Sequence, residues 1–349
     1  MTVLRVRGRA LPDGEPVDLY ADGDRWTDEP VAGAEIVGEG WLLAGLVDAH
    51  THPGAEKPGQ PLDDALLRRD LLEHLYAGVT LLRAPGLAGP PPAWFGQDPD
   101  LPRAVHAGAW IAQPGQFFDG WGERPAFEDL PQVAAEQARR SGWAKVVVDW
   151  SLGDQVMPVQ VLRATVEAVH AVGGRLAVHS QHLAGGAAAV AAGVDSLEHG
   201  MCLDSALLPE MARRGIALTP TLAVLTAGLR RVRDRPDDPR RDWYLHGAGA
   251  HGQLCVDAAD AGVTLLAGTD SRPHGRIADE VRALARAGVD PHRALGAASW
   301  TARSYLGLGG LEPGAPADAV IYDTDPRADL TQLSAPRAVL LRGRLTARQ

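Results

Sequence analysis

The stretch Leu42–His52, LLAGLVDAHTH, decides how this chain is read: an apolar run of strand length ends in two histidines spaced two apart, with Asp48 two residues before the first. Successive strand side chains alternate faces, so Asp48, His50 and His52 project to one side at the C-terminal end of the strand. Two imidazoles meeting there can grip one metal ion. An HxH alone does not single out that use, because paired histidines also cap strands and make ordinary hydrogen bonds. The rest of the chain narrows it.

Upstream of this stretch, short alternating segments (VLRVRGR, VDLYADG, AEIVGEG) punctuated by Gly, Pro and Asp predict a few β-strands joined by turns. Downstream, apolar runs of strand length alternate with Ala/Leu/Arg-rich helical stretches, the pattern of βα units around a parallel sheet. Strands are expected near Leu42–Ala49, Val79–Arg83, Ala104–Ile111, Ala144–Trp150, Arg175–Ser180, Val194–Glu198, Ile216–Pro220 and Val263–Asp270. Helices are expected at Leu62–Ala77, Leu130–Ser141, Val159–Val172, Leu183–Ala192, Ser205–Arg214 and Asp242–Ala261, then at Ile277–Ala287 and Pro291–Leu306. Eight strands with helices between most of them fit an α/β fold of the (β/α)8 TIM-barrel type better than an open doubly wound sheet. No Gly-rich dinucleotide or phosphate motif follows any strand. Strands at Ala317–Asp323 and Arg337–Arg342 can rejoin the N-terminal ones, which divides the chain into a composite β-sandwich module from residues 1–43 and 311–349 and a barrel over 44–310.

The chain has 349 residues, 45% of them hydrophobic, enough to bury a large core. A net charge of −10 argues against nucleic acid or an anionic membrane as the main partner. Two cysteines, Cys202 and Cys255, are too few for a disulfide framework. The N-terminus lacks a continuous apolar core for a signal peptide, and no run approaches the roughly 18 apolar residues that span a bilayer. The expectation is therefore a cytoplasmic protein acting on a small molecule, with homo-oligomerisation left open.

In a barrel, function sits at the C-terminal ends of the strands. Read in order, those ends carry His50 and His52, then Lys145, His179, His199 and Asp270. Imidazole and carboxylate suit a divalent transition metal, zinc foremost. Lysine does not, unless modified: desolvation in an apolar strand lowers its pKa, and its neutral amine can add CO2 to give an anionic carbamate able to bridge two metals. Arginine cannot do this. Of the 34 basic side chains only Lys57 and Lys145 are lysine, so its place in WAKVVVDW is informative. The plainer alternative is that Lys145 snorkels at the rim or pairs with Asp149.

These motifs, with AGVTLLR, LAVHSQH, AAGVDSLEHG, TPTL, LLAGTDS, ALGAASWTARSYLGL and LEPGAPADAVIYDTDP, resemble the amidohydrolase superfamily over essentially the whole chain, in particular its imidazolonepropionase-like and prolidase-like branch. The resemblance implies that His50, His52 and Asp270 hold one metal, that His179 and His199 hold another, and that carboxylated Lys145 bridges them. It further implies a bridging hydroxide as nucleophile and Asp270 as proton shuttle. The expected reaction is hydrolysis of a C–N amide bond in a dipeptide or N-acyl amino acid. The rivals are hydrolysis of a cyclic amide, lactone or ester, deamination at the same metals, or a non-catalytic barrel that binds metal or ligand.

Secondary candidates are Asp48, to orient an imidazole, and Arg83, His106, His182, Arg272 and His274 as substrate contacts. His106 also reads as a packed core residue, and Arg272 or His274 as solvated loop residues. His74, His170, His246, His251 and His292 fall in helical stretches and need no functional role. Two departures from relatives stand out: Ala84 occupies the place of an acidic residue after Arg83, and the loop after His52, PGAEKPGQP, is short.

Overall fold

A computed structural model describes residues 3–348. Four strands open the chain: β1 Leu4–Ala10, β2 Glu15–Asp22, β3 Arg25–Thr27 and β4 Glu35–Leu43. Eight short strands follow: β5 Leu46–Asp48, β6 Val79–Ala84, β7 Arg103–His106, β8 Trp110–Ile111, β9 Trp143–Val147, β10 Arg175–Ser180, β11 Ser196–His199 and β12 Ala217–Thr219. Three more close it: β13 Ala319–Tyr322, β14 Ala338–Leu341 and β15 Arg344–Arg348.

Both ends of the chain meet in one seven-stranded sheet, ordered β15-β14-β13-β4-β1-β2-β3. It is a single mixed sheet, antiparallel except where β1 runs parallel to β4, and not the two facing sheets of the expected sandwich. Its apolar residues, among them Val6, Trp26, Leu42 and Ile321, form a core of their own.

The middle of the chain is α/β, with all strand pairings parallel, as the alternation of runs implies. The expected single ring of eight strands appears instead as two sheets, β5-β6-β7 and β12-β11-β10-β9-β8. Three local causes account for the difference. The run expected as Leu42–Ala49 changes sheet after Leu43, where Gly45 packs so tightly that a Cβ would lie 1.9 Å from Thr80 Oγ1. The run expected as Ala104–Ile111 breaks between β7 and β8, where Gly108 takes a left-handed φ of 73°. Val263–Asp270 forms no ladder of strand length, only a bridge between Leu265 and Leu218. That segment nevertheless laces the two sheets together: Leu266 N–H donates to Leu218 O at 2.9 Å, Ala49 N–H to Ala267 O at 2.8 Å and Asp270 N–H to His50 O at 2.8 Å.

Helices at Leu130–Ser141, Leu183–Ala192 and Ile277–Ala287 lie where periodicity places them. Pro291–Leu306 is two short helices, Pro291–Gly296 and Trp300–Tyr305, and an additional helix runs Leu222–Arg233. The helices cover the parallel strands with one large apolar core that includes Leu67, Val146, Leu197 and Leu284. No helix among the described residues is long and apolar enough to cross a membrane.

Candidate metal centre

The ends of the parallel strands converge on a cavity of about 280 Å³ lined by His50, His52, Lys145, His179, His199 and Asp270. A larger groove of about 970 Å³ lies on the flank, shares only Ser271 and Arg272 with this cavity, and contains none of these histidines. Among the described residues, His50, His52 and Asp270 are the group whose donor atoms all lie within 4.8 Å of one another. Their close approach depends on Gly268, where a Cβ would lie 2.5 Å from His50 Cβ.

Hydrogen bonding fixes what the two imidazoles present. Gly86 O lies 2.8 Å from His52 Nδ1, and a carbonyl can only accept, so the ring proton sits on Nδ1 and Nε2 carries a lone pair. Glu198 Oε2 lies 2.6 Å from His50 Nδ1, and a carboxylate likewise only accepts. With both rings neutral, the two Nε2 lone pairs face each other at 3.1 Å, with Asp270 Oδ1 3.8 Å from His50 Nε2 and 3.5 Å from His52 Nε2. Electron pairs so arranged repel unless a proton or a metal ion lies among them, and three donors converging within 4.8 Å, one of them a carboxylate, fit a metal ion.

The remaining candidates sit beside this group. His179 and His199 have ring centroids 4.6 Å apart, and His199 is 4.9 Å from His50. His199 Nδ1 meets Thr221 Oγ1 at 2.8 Å, whereas His179 Nε2 is buried with no hydrogen-bond partner among the described residues. Burial pulls His52, His179 and His199 well below the ordinary imidazole range, with neighbouring positive groups adding to it, so these rings are neutral and each keeps a lone pair a cation could use. Lys145 is 1% exposed, its Nζ has no hydrogen-bond partner among the described residues, and burial lowers its pKa to about 8. Pairing with Asp149 is overturned, because that carboxylate accepts from Ser180 Oγ at 2.6 Å and Gln181 N–H at 2.8 Å. Burial also pushes the Asp270 carboxyl up, against the pull of His50 and Lys145.

Several secondary candidates lie elsewhere. Arg83 is not placed to touch substrate: it is 1% exposed beneath the cavity, donating to Ala49 O at 2.7 Å and to both oxygens of Glu198 at 2.8 and 2.9 Å. His106 packs against Phe95, and His182 against Trp243, so neither lines the cavity. Arg272 and His274 do line it, but Arg272 is held by Asp70 through two bonds of 2.8 Å. Asp48 points away from the imidazoles and accepts from Thr269 N–H and Oγ1 at 3.1 and 2.6 Å, fastening the segment that carries Asp270 to β5.

Sequence reasoning missed Glu198. Burial alone would raise its carboxyl, but Arg83, Lys145 and the bond from His50 outweigh that and hold it well below the usual range. It is the anion that sets the tautomer of His50. The available signal was a pair of opposite charges, Arg83 and Glu198, within strands of a parallel sheet covered on both faces, where each needs a partner.

Residues 41–345 match the Amidohydrolase family. The chain is 40% identical over 361 residues to an uncharacterized protein of Mycobacterium tuberculosis, covering 98% of this chain and 95% of that one. It is 30% identical over 251 residues to the ochratoxinase of Aspergillus niger, covering 66% of this chain and 50% of that enzyme. The solved ochratoxinase shares its fold with a TM-score of 0.81 at 22% identity, over 100% of this chain and 96% of that one. A putative prolidase from Bifidobacterium longum does so with a TM-score of 0.84 at 23% identity, over 99% of this chain and 95% of that one. The chain belongs to the amidohydrolase family and is a hydrolase.

Proposed function

We propose that this protein is a metal-dependent hydrolase of the C–N amide bond in a dipeptide or N-acyl amino acid, with prolidase-like substrates the first to test. The observation that carries this reading is the meeting of the two Nε2 lone pairs of His50 and His52 beside Asp270. His50, His52 and Asp270 would hold one divalent ion, zinc by ligand type, and His179 and His199 a second. Lys145 would join them as a carbamate, its neutral amine forming an N–C bond to CO2 and giving up a proton; the buried, unpartnered Nζ supports this. Such ions, when bound, supply Lewis-acid polarisation of the scissile carbonyl and a lowered pKa for water.

The chain's own part is positional and protonic. Glu198 keeps the lone pair of His50 aimed inward, Gly86 O does the same for His52, and Asp48 anchors the Asp270 segment. The Asp270 carboxyl takes a proton as water attacks and returns it to the leaving amine nitrogen. A cavity of about 280 Å³ is at the small end of ligand sites, which suits a small-molecule substrate. We further propose that the two parallel sheets, laced by residues 263–270, act as one (β/α)8 barrel with division at residues 44 and 310.

The test is turnover of a dipeptide and N-acyl amino acid panel by metal-loaded protein, with Asp270→Asn alongside. Loss of proton transfer predicts a drop of about 10²–10⁴ in kcat. Turnover of lactones or esters but of no amide, or an Asp270→Asn variant as fast as the parent, would refute the assignment.

A further inference from the structure

Two of the four phenylalanines and three of the nine tryptophans of the chain gather on one side of the cavity: Trp110, Phe117, Phe118, Trp121 and Trp150. Trp110 and Trp121 stack at 4.9 Å, Trp150 lies edge-on to Phe117 and Phe118 at 5.0 and 4.8 Å, and the cluster abuts the proposed metal ligands at His52 (5.1 Å from Trp110) and His179 (5.0 Å from Trp150). Phe117, Phe118 and Trp150 are only half-buried, so apolar ring surface faces the cavity.

The loop that carries this wall is fastened from several directions. The Arg124 guanidinium donates to the carbonyls of Gln116, Phe118 and Trp121 at 3.1, 2.8 and 2.6 Å. Trp121 Nε1–H donates to Gln60 O at 2.6 Å, tying the wall to the short loop after His52, and Gln116 donates to Gln155 O at 2.8 Å on the other side. Phe117 itself takes a left-handed φ of 68°, a conformation that disfavours a bulky side chain and persists only where surroundings over-determine it. A ring held in place against its own backbone preference, at the mouth of a reactive site, is a contact surface already in position before substrate arrives.

We propose that the loop 113–124 is a preformed aromatic wall selecting amides that carry a bulky apolar, above all aromatic, group next to the scissile bond. The proposal rests on the amide-hydrolase reading and names its substrate class.

The experiment compares kcat/KM of metal-loaded protein on N-acetyl-phenylalanine, phenylacetyl-glycine and N-acetyl-alanine. The better aromatic substrate should exceed N-acetyl-alanine by at least about tenfold, the low end of what apolar pocket contacts discriminate. In Phe117→Gly, which removes the ring and relieves the left-handed backbone, that ratio should fall about tenfold; Phe118→Ala should lower it in the same direction. A structural role alone would lower both rates and leave the ratio intact, and that result, or equal rates for aromatic and small substrates in the parent, overturns the proposal. If no amide is turned over, the amide reading falls and binding decides the wall by itself. Calorimetric affinity for L-phenylalanine or phenylacetate tenfold above that for L-alanine or acetate supports it; equal affinity overturns it.

Discussion

Glu198→Gln is the most exacting test of how the centre is built, because it changes one atom in a fully buried carboxylate. That group accepts from Arg83 Nη2 at 2.8 and 2.9 Å, His50 Nδ1 at 2.6 Å and Ser196 Oγ at 2.5 Å. A glutamine has one acceptor oxygen. If that oxygen serves Arg83, the amide N–H₂ faces His50 Nδ1, drives its proton to Nε2 and erases the lone pair aimed at the metal. If it serves His50, the N–H₂ meets the guanidinium, and a buried cation loses its counter-ion. Breaking a buried pair costs about 3–5 kcal/mol, and the retained oxygen favours the lower end. At about 2.1 cal/mol/K of unfolding entropy per residue, 349 residues convert about 3 kcal/mol into a melting shift of about 4 °C. Metal affinity, read by competition with a chelator, should fall about 10–100-fold, as for other groups that orient a ligating histidine. A variant that binds metal as tightly as the parent and melts at the same temperature would refute the tautomer reasoning; a lowered melting point with unchanged metal affinity would leave Glu198 a purely structural anion.

Gly268→Ala should separate the two halves of the centre, since its Cβ would lie 2.5 Å from His50 Cβ and 2.7 Å from Thr219 Cγ2. Overpacking of about 1–3 kcal/mol and loss of bound metal are expected, checked by denaturation and metal content. Asp70 is 0% exposed; burial by itself would raise its carboxyl, but bonds from His274, Arg272 and Gly54 N–H bring it to about 2 from an ordinary 3.8. The folded group is the stronger acid, so its contribution of about 2 kcal/mol is present above pH 3.8 and is lost as pH falls through 2; the stability gap between the parent and Asp70→Asn should close over that window in urea titrations. Glu280→Ala removes the buried carboxyl group that accepts from Leu222 and Ala223 N–H at 2.9 and 2.7 Å, and should cost about 2–3 kcal/mol in denaturant unfolding.

The ligand candidates were legible because each is a polar residue that interrupts an apolar run at the same topological place, which no core requirement explains. Helices such as Ile277–Ala287 were legible for the complementary reason, their apolar spacing being that of one buried face. The sheet boundaries were not, because they depend on long-range fit: the change of sheet falls at Gly45, where only a residue without a Cβ fits against Thr80, distant in sequence. Residues 263–270 are as apolar as a strand, yet they bond to β12 and β5 through scattered single contacts, and no periodicity distinguishes that from a ladder. Arg83 was misplaced because a strand-end arginine reads equally as a substrate contact or a buried counter-ion, and only the position of Glu198 decides.

Besides Phe117, three non-glycine residues at the rim, His199, Thr221 and Asp270, adopt left-handed backbone conformations with φ of 66°, 47° and 44°. Such conformations cost on the order of 1–3 kcal/mol each and last only where neighbours leave no alternative. Each is held by a distinct anchor. His199 is tied to Thr221 through its ring; Thr221 precedes a helix whose first two N–H groups are fixed by Glu280; Asp270 hangs by its own N–H from His50 O, next to Thr269 clamped by Asp48. Asp48 and Glu280 are both fully buried, and neither lines the cavity. Burial opposes their ionisation, pushing Asp48 up to about 6 and Glu280 up to about 8, so it is their hydrogen bonds that hold the strained rim geometry at a remove. It follows that the candidate ligand positions are set by the scaffold itself, and that weakening the interior anchors, as in Asp48→Asn, should lower metal affinity in a chelator competition through backbone relaxation at the rim, with every candidate ligand side chain still in the sequence.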